Sequence, residues 1–269
     1  MNLTSYVHGY QPRESARLQD QAQTLADLLH ADTAYPPAST VLEFGCGVGA
    51  QTLTLAARSP QAHFTAIDIS ADSVALARQR VEAAGLTNVS FAQADLFTWR
   101  AEPASFDHVF VCFVLEHLAR PEEALARLRS LLKPGGTLTV IEGDHGLTAF
   151  HPDSDAARAA IACQVELQRR AGGDATIGRR LYPLLAACGF QQVTVSPRVA
   201  YADASRPDWV DGFTRKTFTA MIEGVREAAL SAGLSTADAF DAGVSGLRRC
   251  AEPDGVFFYA FFKAVGYKP

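Results

Sequence analysis

From Thr40 to Asp144 the chain alternates short apolar runs with stretches of helical periodicity, and this rhythm narrows the fold more than any other feature. "TVLEFG", "HFTAIDIS", "VSFAQADLF", "FDHVFVCFVL" and "TLTVIEGD" are rich in β-branched and aromatic residues and read as strands. "AQTLTLAARS", "ADSVALARQRVEAAG" and "PEEALARLRSLLKPGG" repeat apolar residues three and four apart and read as helices, with Gly85 and Gly135 where helix ends are expected. Apolar strands alternating with helices imply a parallel sheet, right-handed crossovers and helices on both faces.

The flanks follow a different pattern. Residues 11–30 place Leu18, Leu25, Leu28 and Leu29 near helical spacing, and "YPPAST" breaks that helix. After residue 146, "PDSDAARAAIACQVELQRRAGG" reads as an extra helix with Asp153 or Ser154 as N-cap. "IGRRLYPLLAACGF" reads as a further helix and "QQVTVSPRVAY" as a strand. Residues 207–250 hold two helical runs, and "GVFFYAFFKAVGY" is strongly β-prone. The expected organisation is an N-terminal helical cap over 1–39 and one domain over 40–269, with lid insertions at about 147–175 and 205–252. The fold class is α/β, a doubly wound, mostly parallel sheet. A chain of 269 residues can bury one large core.

Composition excludes several function classes. No run approaches the roughly 18 apolar residues of a membrane span, and "MNLTSYVHGYQPRE" lacks the basic and apolar regions of a signal peptide. The five cysteines are widely spaced with no CxxC pair, which points to reduced thiols in a cytoplasmic protein without a metal site. A net charge of −5 and the lack of a Lys/Arg cluster argue against a nucleic-acid partner.

The chemistry concentrates at "VLEFGCGVGA", residues 41–50, where Gly45, Gly47 and Gly49 follow a strand and Glu43 stands just upstream. In an open parallel sheet, ligands bind beyond the carboxyl ends of the strands, and a bare turn before a helix N-terminus suits a nucleotide. Residues 45–50 also satisfy Gly-x-Gly-x-x-Ala, so the loop alone leaves a nicotinamide or flavin dinucleotide open. Asp68, ending the second strand in "AIDIS", can accept hydrogen bonds from a ribose diol. Asp95 ends the third strand in "QADLF" at the same edge, where an adenine amino group could be read.

Taken together, "LEFGCGVG", "AIDIS", "QADLF", "FDHVFVCFVLEHL" and "LKPGGTLTVIE" resemble the class I S-adenosylmethionine-dependent methyltransferases. The likeness is strongest to the group of ubiquinone and menaquinone biosynthesis enzymes, the type 11/25 methyltransferases, and covers about residues 40–145. It implies a seven-stranded Rossmann-like sheet whose sixth strand is "VTVSPRVAY" and whose seventh, antiparallel strand is "VFFYAFFKAV". It also implies S-adenosyl-L-methionine as cofactor, a small-molecule methyl acceptor, and a homodimer as one available assembly. Gly45, Gly47 and Gly49 would lie against the cofactor's amino-acid and ribose portions, and Glu43 would face its ammonium. Asp68 would hold the ribose hydroxyls, Ile69 the adenine face, and Asp95 with Leu96 the adenine edge. Cys112 and Phe113 would line the sulfonium end. Tyr10 would approach it as an aromatic partner and Arg17 would bind the cofactor carboxylate.

Methyl transfer is in-line displacement at an activated carbon, so positioning dominates and a catalytic dyad is not required. Where a base or substrate contact is used, the candidates are Glu116 and His117 in "LEHL" and Glu142, Asp144 and His145 in "IEGDHG", with Glu116, His117 and His145 foremost. Trp209, Phe213, Phe218, Met221 and Tyr201 read as core, with some of them lining an apolar acceptor pocket. Two other readings are a regulatory protein that binds the cofactor without transferring methyl, and a dinucleotide-dependent oxidoreductase.

Overall fold

The five expected core strands are β1 (Thr40–Phe44), β2 (His63–Asp68), β3 (Val89–Gln93), β4 (Phe106–Cys112) and β5 (Leu132–His151). These come from a computed structural model that describes residues 12–269, and among them the side chains of all but residues 12–16 and 19. With β6 (Gln191–Ala202) and β7 (Val256–Tyr267) they form one seven-stranded sheet in the order β3-β2-β1-β4-β5-β7-β6. Neighbours from β3 to β5 pair in parallel, while β7 pairs antiparallel with both β5 and β6. This is the α/β sheet expected from the sequence.

Helix α1 (Pro12–His30) precedes the sheet, and α2 (Ala50–Arg58), α3 (Ala71–Ala83) and α4 (Pro121–Leu131) connect its parallel strands. Successive strand residues point to opposite faces, which gives two apolar layers. Val41 and Phe110 pack with Leu25 and Leu55 on one side, and Leu42, Val109 and Val111 pack with Leu125 and Leu128 on the other. Ser70 caps α3 by accepting the Ser73 N–H at 3.2 Å. Gly85 adopts φ +71° just after α3, as expected of a helix end. Gly135 does not play that part: α4 has already ended at Leu131, and the Gly135 N–H donates to the Lys268 carbonyl at 2.8 Å.

The remaining elements differ more from the sequence reading. β5 runs on to His151, well beyond "TLTVIEGD". Helix α5 (Asp155–Arg170) starts at Ser154, whose hydroxyl accepts the Ala157 N–H at 3.1 Å, and α6 (Leu181–Ala187) follows a short 3₁₀ turn. The run expected to be one helix over 207–234 is broken into α7 (Pro207–Trp209), a π-helical stretch Val210–Thr219, α8 (Ala220–Gly224) and α9 (Arg226–Ser231). Helix α10 (Ala237–Arg249) follows and lies against α5, where a Cβ on Gly243 would come within 2.5 Å of the Ala156 carbonyl oxygen. The π-helical stretch packs on α1: a Cβ on Gly212 would lie 2.2 Å from Thr24 Oγ1. Among the described residues no helix is long and apolar enough to cross a membrane.

The end of α1 is fastened to the far side of the sheet. Buried Lys263 on β7 donates to Asp32 Oδ1 and Thr33 Oγ1, both at 2.6 Å, and Arg198 on β6 pairs with the other Asp32 oxygen. Burial alone would raise the Asp32 pKa, but the two cations outweigh it and hold that carboxyl at about 2.

Candidate active site

At the carboxyl ends of β1 to β4 lies a cleft of about 1210 Å³. The turn after β1 forms its floor. Gly45, Gly47 and Gly49 all have positive φ, between +50° and +77°, yet they serve different ends. A Cβ on Gly45 would lie 2.4 Å from Val114 Cγ2, and one on Gly49 would lie 2.9 Å from Ala77 Cβ, so both are required for packing. A Cβ on Gly47 would meet nothing within 4 Å. Gly47 and Gly45 line the cleft, whereas Gly49 opens α2 behind it.

Asp68 ties this turn to the next. Its Oδ2 accepts the Gly47 N–H at 2.8 Å and its Oδ1 accepts the Ser70 N–H at 2.9 Å. Burial raises its pKa against the pull of these bonds. Ile69, Asp95 and Leu96 line the wall beside it, and Asp95 Oδ1 accepts the Phe97 N–H at 3.0 Å in a tight local turn. Glu43 is 2% exposed and sits beneath the floor, not in its lining. Burial, reinforced by the Asp68 charge, pushes its pKa up to about 8, and its Oε2 has no hydrogen-bond partner. A bare Gly47, an oriented Asp68 and an unsatisfied acid behind them fit a nucleoside that carries a positive charge.

A smaller pocket of about 440 Å³ adjoins this cleft. Leu18, Gln21, Phe113 and His117 line both spaces. Phe113, at the end of β4, has φ +57°, a left-handed conformation that is strained for a bulky residue. The surrounding structure fixes it there: its N–H donates to the Ile141 carbonyl at 2.9 Å, and the next two N–H groups bind Glu142. Glu142 Oε1 accepts the Val114 N–H at 3.1 Å and the Leu115 N–H at 2.7 Å. Burial, then the charge of Glu116, raises the Glu142 pKa well above the carboxylate range.

The expected catalytic residues meet at the smaller pocket. Glu116 Oε2 accepts the Gln168 side-chain amide at 3.2 Å, and Glu116 Oε1 lies 3.6 Å from His117 Nε2. His145 Nδ1 is 2.7 Å from the Tyr259 hydroxyl, and its buried Nε2 has no partner. Burial lowers the His145 pKa and keeps the ring neutral, although nearby Glu116 opposes that shift. Arg17 faces this smaller pocket and not the larger cleft, with Nη1 donating to Gln21 Oε1 at 3.1 Å. Cys112 and Phe113 line the larger cleft as expected, and burial raises the Cys112 thiol pKa far beyond reactivity at neutral pH. Tyr10 lies outside the described residues.

Of the aromatic and sulfur side chains expected near an acceptor, Met221 alone reaches the pocket wall. Phe213 and Phe218 are core residues stacked on Phe257 and Tyr259, Tyr201 is exposed, and Trp209 stacks under Arg206 at 3.9 Å. Sequence reasoning missed Tyr259 and Gly143. A Cβ on Gly143 would lie 2.3 Å from the Tyr259 hydroxyl, so the absence of a side chain there makes the hydroxyl's place. The available signal was a hydroxyl-bearing residue within the apolar face Phe257, Tyr259, Phe261 of β7.

A family model described as a methyltransferase domain matches residues 41–136, from β1 into β5. That segment is a methyltransferase domain of the class I, S-adenosylmethionine-dependent kind. The cofactor of that domain is S-adenosylmethionine. It is similar to a 37.1 kDa protein of transposon TN4556 in Streptomyces fradiae, at 36% identity over 198 residues, covering 72% of this chain and 56% of that protein. It is also similar to the trans-aconitate 2-methyltransferase of Paracidovorax citrulli, at 33% identity over 146 residues, covering 54% of each chain. The chain thus spans about half the length of these curated relatives. Among solved structures, a phosphoethanolamine N-methyltransferase 2 of Haemonchus contortus superimposes with a TM-score of 0.58 at 19% identity, covering 93% of this chain and 52% of that one. That likeness establishes the fold.

Proposed function

We propose that this chain transfers a methyl group from S-adenosylmethionine, held in the larger cleft, to a small molecule held in the smaller pocket. The observation that carries this reading is the junction: Phe113 and His117 line both spaces, so the two reactants would meet there. A recess walled by Phe113, Met221, Tyr259 and Phe261, with His117 and His145 among its polar groups, suits a metabolite and not a macromolecule. When bound, the cofactor supplies an electrophilic methyl group on a sulfonium.

The chain's own residues then bind and orient. Gly47 offers bare peptide to the ligand, Asp68 takes the ribose hydroxyls on its remaining lone pairs, and Asp95 with Leu96 reads the adenine edge beside Ile69. Ionised Glu43 balances the ammonium. His117 and His145 make the polar contacts to the acceptor, and Glu116, held by Gln168, orients His117. In-line alignment of two bound reactants can supply about 7–11 kcal/mol of the barrier, more than the 3–5 kcal/mol or so of one general base. All five cysteines are free thiols, which supports a cytoplasmic setting.

Calorimetric titration with S-adenosylhomocysteine and with NAD(H) tests the cofactor, and the expected outcome is binding of the first alone. Nicotinamide binding without S-adenosylhomocysteine binding ends the methyltransferase reading. Incubation with methyl-labelled cofactor and a cell extract tests transfer. If S-adenosylhomocysteine binds but no labelled product forms, the chain is a regulatory binder instead.

A further inference from the structure

The smaller pocket contains one feature that its role as an acceptor site does not yet explain: an imidazole whose inner nitrogen is bonded and whose outer nitrogen is not. His145 is 7% exposed, its Nδ1 lies 2.7 Å from the Tyr259 hydroxyl, and its Nε2 has no partner. A separation of 2.7 Å is the usual length of a bond donated by O–H, while N–H donors favour about 2.9–3.0 Å. A phenol is also a better donor to imidazole nitrogen than an imidazole N–H is to a phenol oxygen. With Tyr259 as the donor, Nδ1 is the acceptor of this pair. A neutral imidazole carries one proton, so the ring's hydrogen then sits on Nε2, the atom without a partner, in a ring that lines the pocket.

Resting on the methyltransferase reading above, we propose that His145 is a hydrogen-bond donor to the acceptor, positioned by Tyr259, and that the acceptor is a small carboxylate. A donor at Nε2 cannot itself take a proton from the acceptor, which favours an acceptor that attacks without losing one. A carboxylate meets that condition, whereas a phenol or alcohol does not. An ammonium would set donor against donor.

The charges around the pocket agree. Asp144 is paired with Arg179 at 2.7 Å, Glu142 is engaged by the Val114 and Leu115 N–H groups, and Glu116 is bonded by Gln168 and lies near His117. Arg17 supplies a cation in the same wall. One carboxylate oxygen takes the Nε2–H, and the other attacks. A lone pair of that oxygen forms the new O–CH₃ bond, the C–S bond breaks with its electrons left on sulfur, and no proton is released. Gly143 is part of the device, because any side chain there would occupy the Tyr259 hydroxyl position.

The test is ¹⁵N NMR of histidine-labelled protein saturated with S-adenosylhomocysteine, with the His145 ring assigned by its loss in His145→Gln. The expected wild-type ring carries its proton on Nε2, and sodium propionate moves that resonance saturably while propylamine does not. In Tyr259→Phe the ring becomes a mixture of tautomers and propionate binds at least tenfold more weakly. A wild-type proton on Nδ1, a resonance unmoved by propionate, or one moved by propylamine in its place would each overturn the proposal. Failure of S-adenosylhomocysteine to bind at the outset would instead remove the methyltransferase reading, so the two failures are distinct.

Discussion

Glu142 at the end of the cofactor-side segment of β5 holds the backbone of Val114, accepting its N–H at 3.1 Å while also taking the Leu115 N–H at 2.7 Å. One buried carboxyl therefore sets the path of the chain just after strained Phe113. Glu142→Ala leaves two buried donors unsatisfied and should cost about 1–3 kcal/mol for each. Glu142→Gln keeps an acceptor oxygen and should stay within about 1 kcal/mol of wild type. Urea denaturation compares them, and equal loss in both variants would show that charge and not the acceptor oxygen matters.

The glycines of the first turn should separate packing from binding. Gly45→Ala suffers about 1–2 kcal/mol from left-handed backbone and a further loss from its collision with Val114. Gly47→Ala has the backbone cost alone, since its new methyl enters open space. Its effect should appear as at least tenfold weaker S-adenosylhomocysteine binding. Thermal unfolding and calorimetry read the two effects; a Gly47→Ala protein with wild-type affinity would place the cofactor elsewhere.

Asp68→Asn retains the side-chain shape but loses the charge that receives Gly47 and Ser70. Cofactor affinity should fall by about 1–3 kcal/mol. An unchanged dissociation constant would mean that the ribose does not rest on this residue.

Glu43 gives a pH signature. Its pKa is raised from 4.5 to about 8, so the folded protein keeps a proton that the unfolded chain releases above pH 4.5. Its contribution to stability is complete below pH 4.5 and disappears as pH rises through about 8. Glu43→Gln should flatten that decline in urea midpoints, and parallel curves for the two proteins would contradict it. Binding of the cofactor's ammonium should ionise Glu43, so calorimetry at pH 7 in buffers of different ionisation enthalpy should register release of close to one proton.

The sheet was legible because its strands and helices announce themselves locally. Val41 with Leu42 and Val109 with Phe110 alternate between two buried faces, and Ser70 caps its helix within three residues. The broken run over 207–231 was not, because its π-helical stretch depends on Gly212 meeting Thr24, nearly two hundred positions away. The glycine turn and Asp68 were legible as a site, but the division of labour among the glycines depends on Val114 and Ala77, which no local pattern brings to them. Arg17 faced the second pocket for the same reason: a helix's periodicity fixes which residues share a face, not which cavity that face meets. Tyr259 escaped notice because a β-prone run gives no sign that one of its rings will sit over a glycine on the neighbouring strand.

The fastening of Asp32 to Lys263 and Arg198 has a mechanical consequence. Helix α1 has 19 residues, a stiff rod of about 28 Å at 1.5 Å per residue. It is pinned just past its last turn, while Leu18 and Gln21, partway along it, stand between the two reactant spaces. A stiff rod held at one end carries that constraint along its length, so a contact outside either space helps to fix where this wall stands.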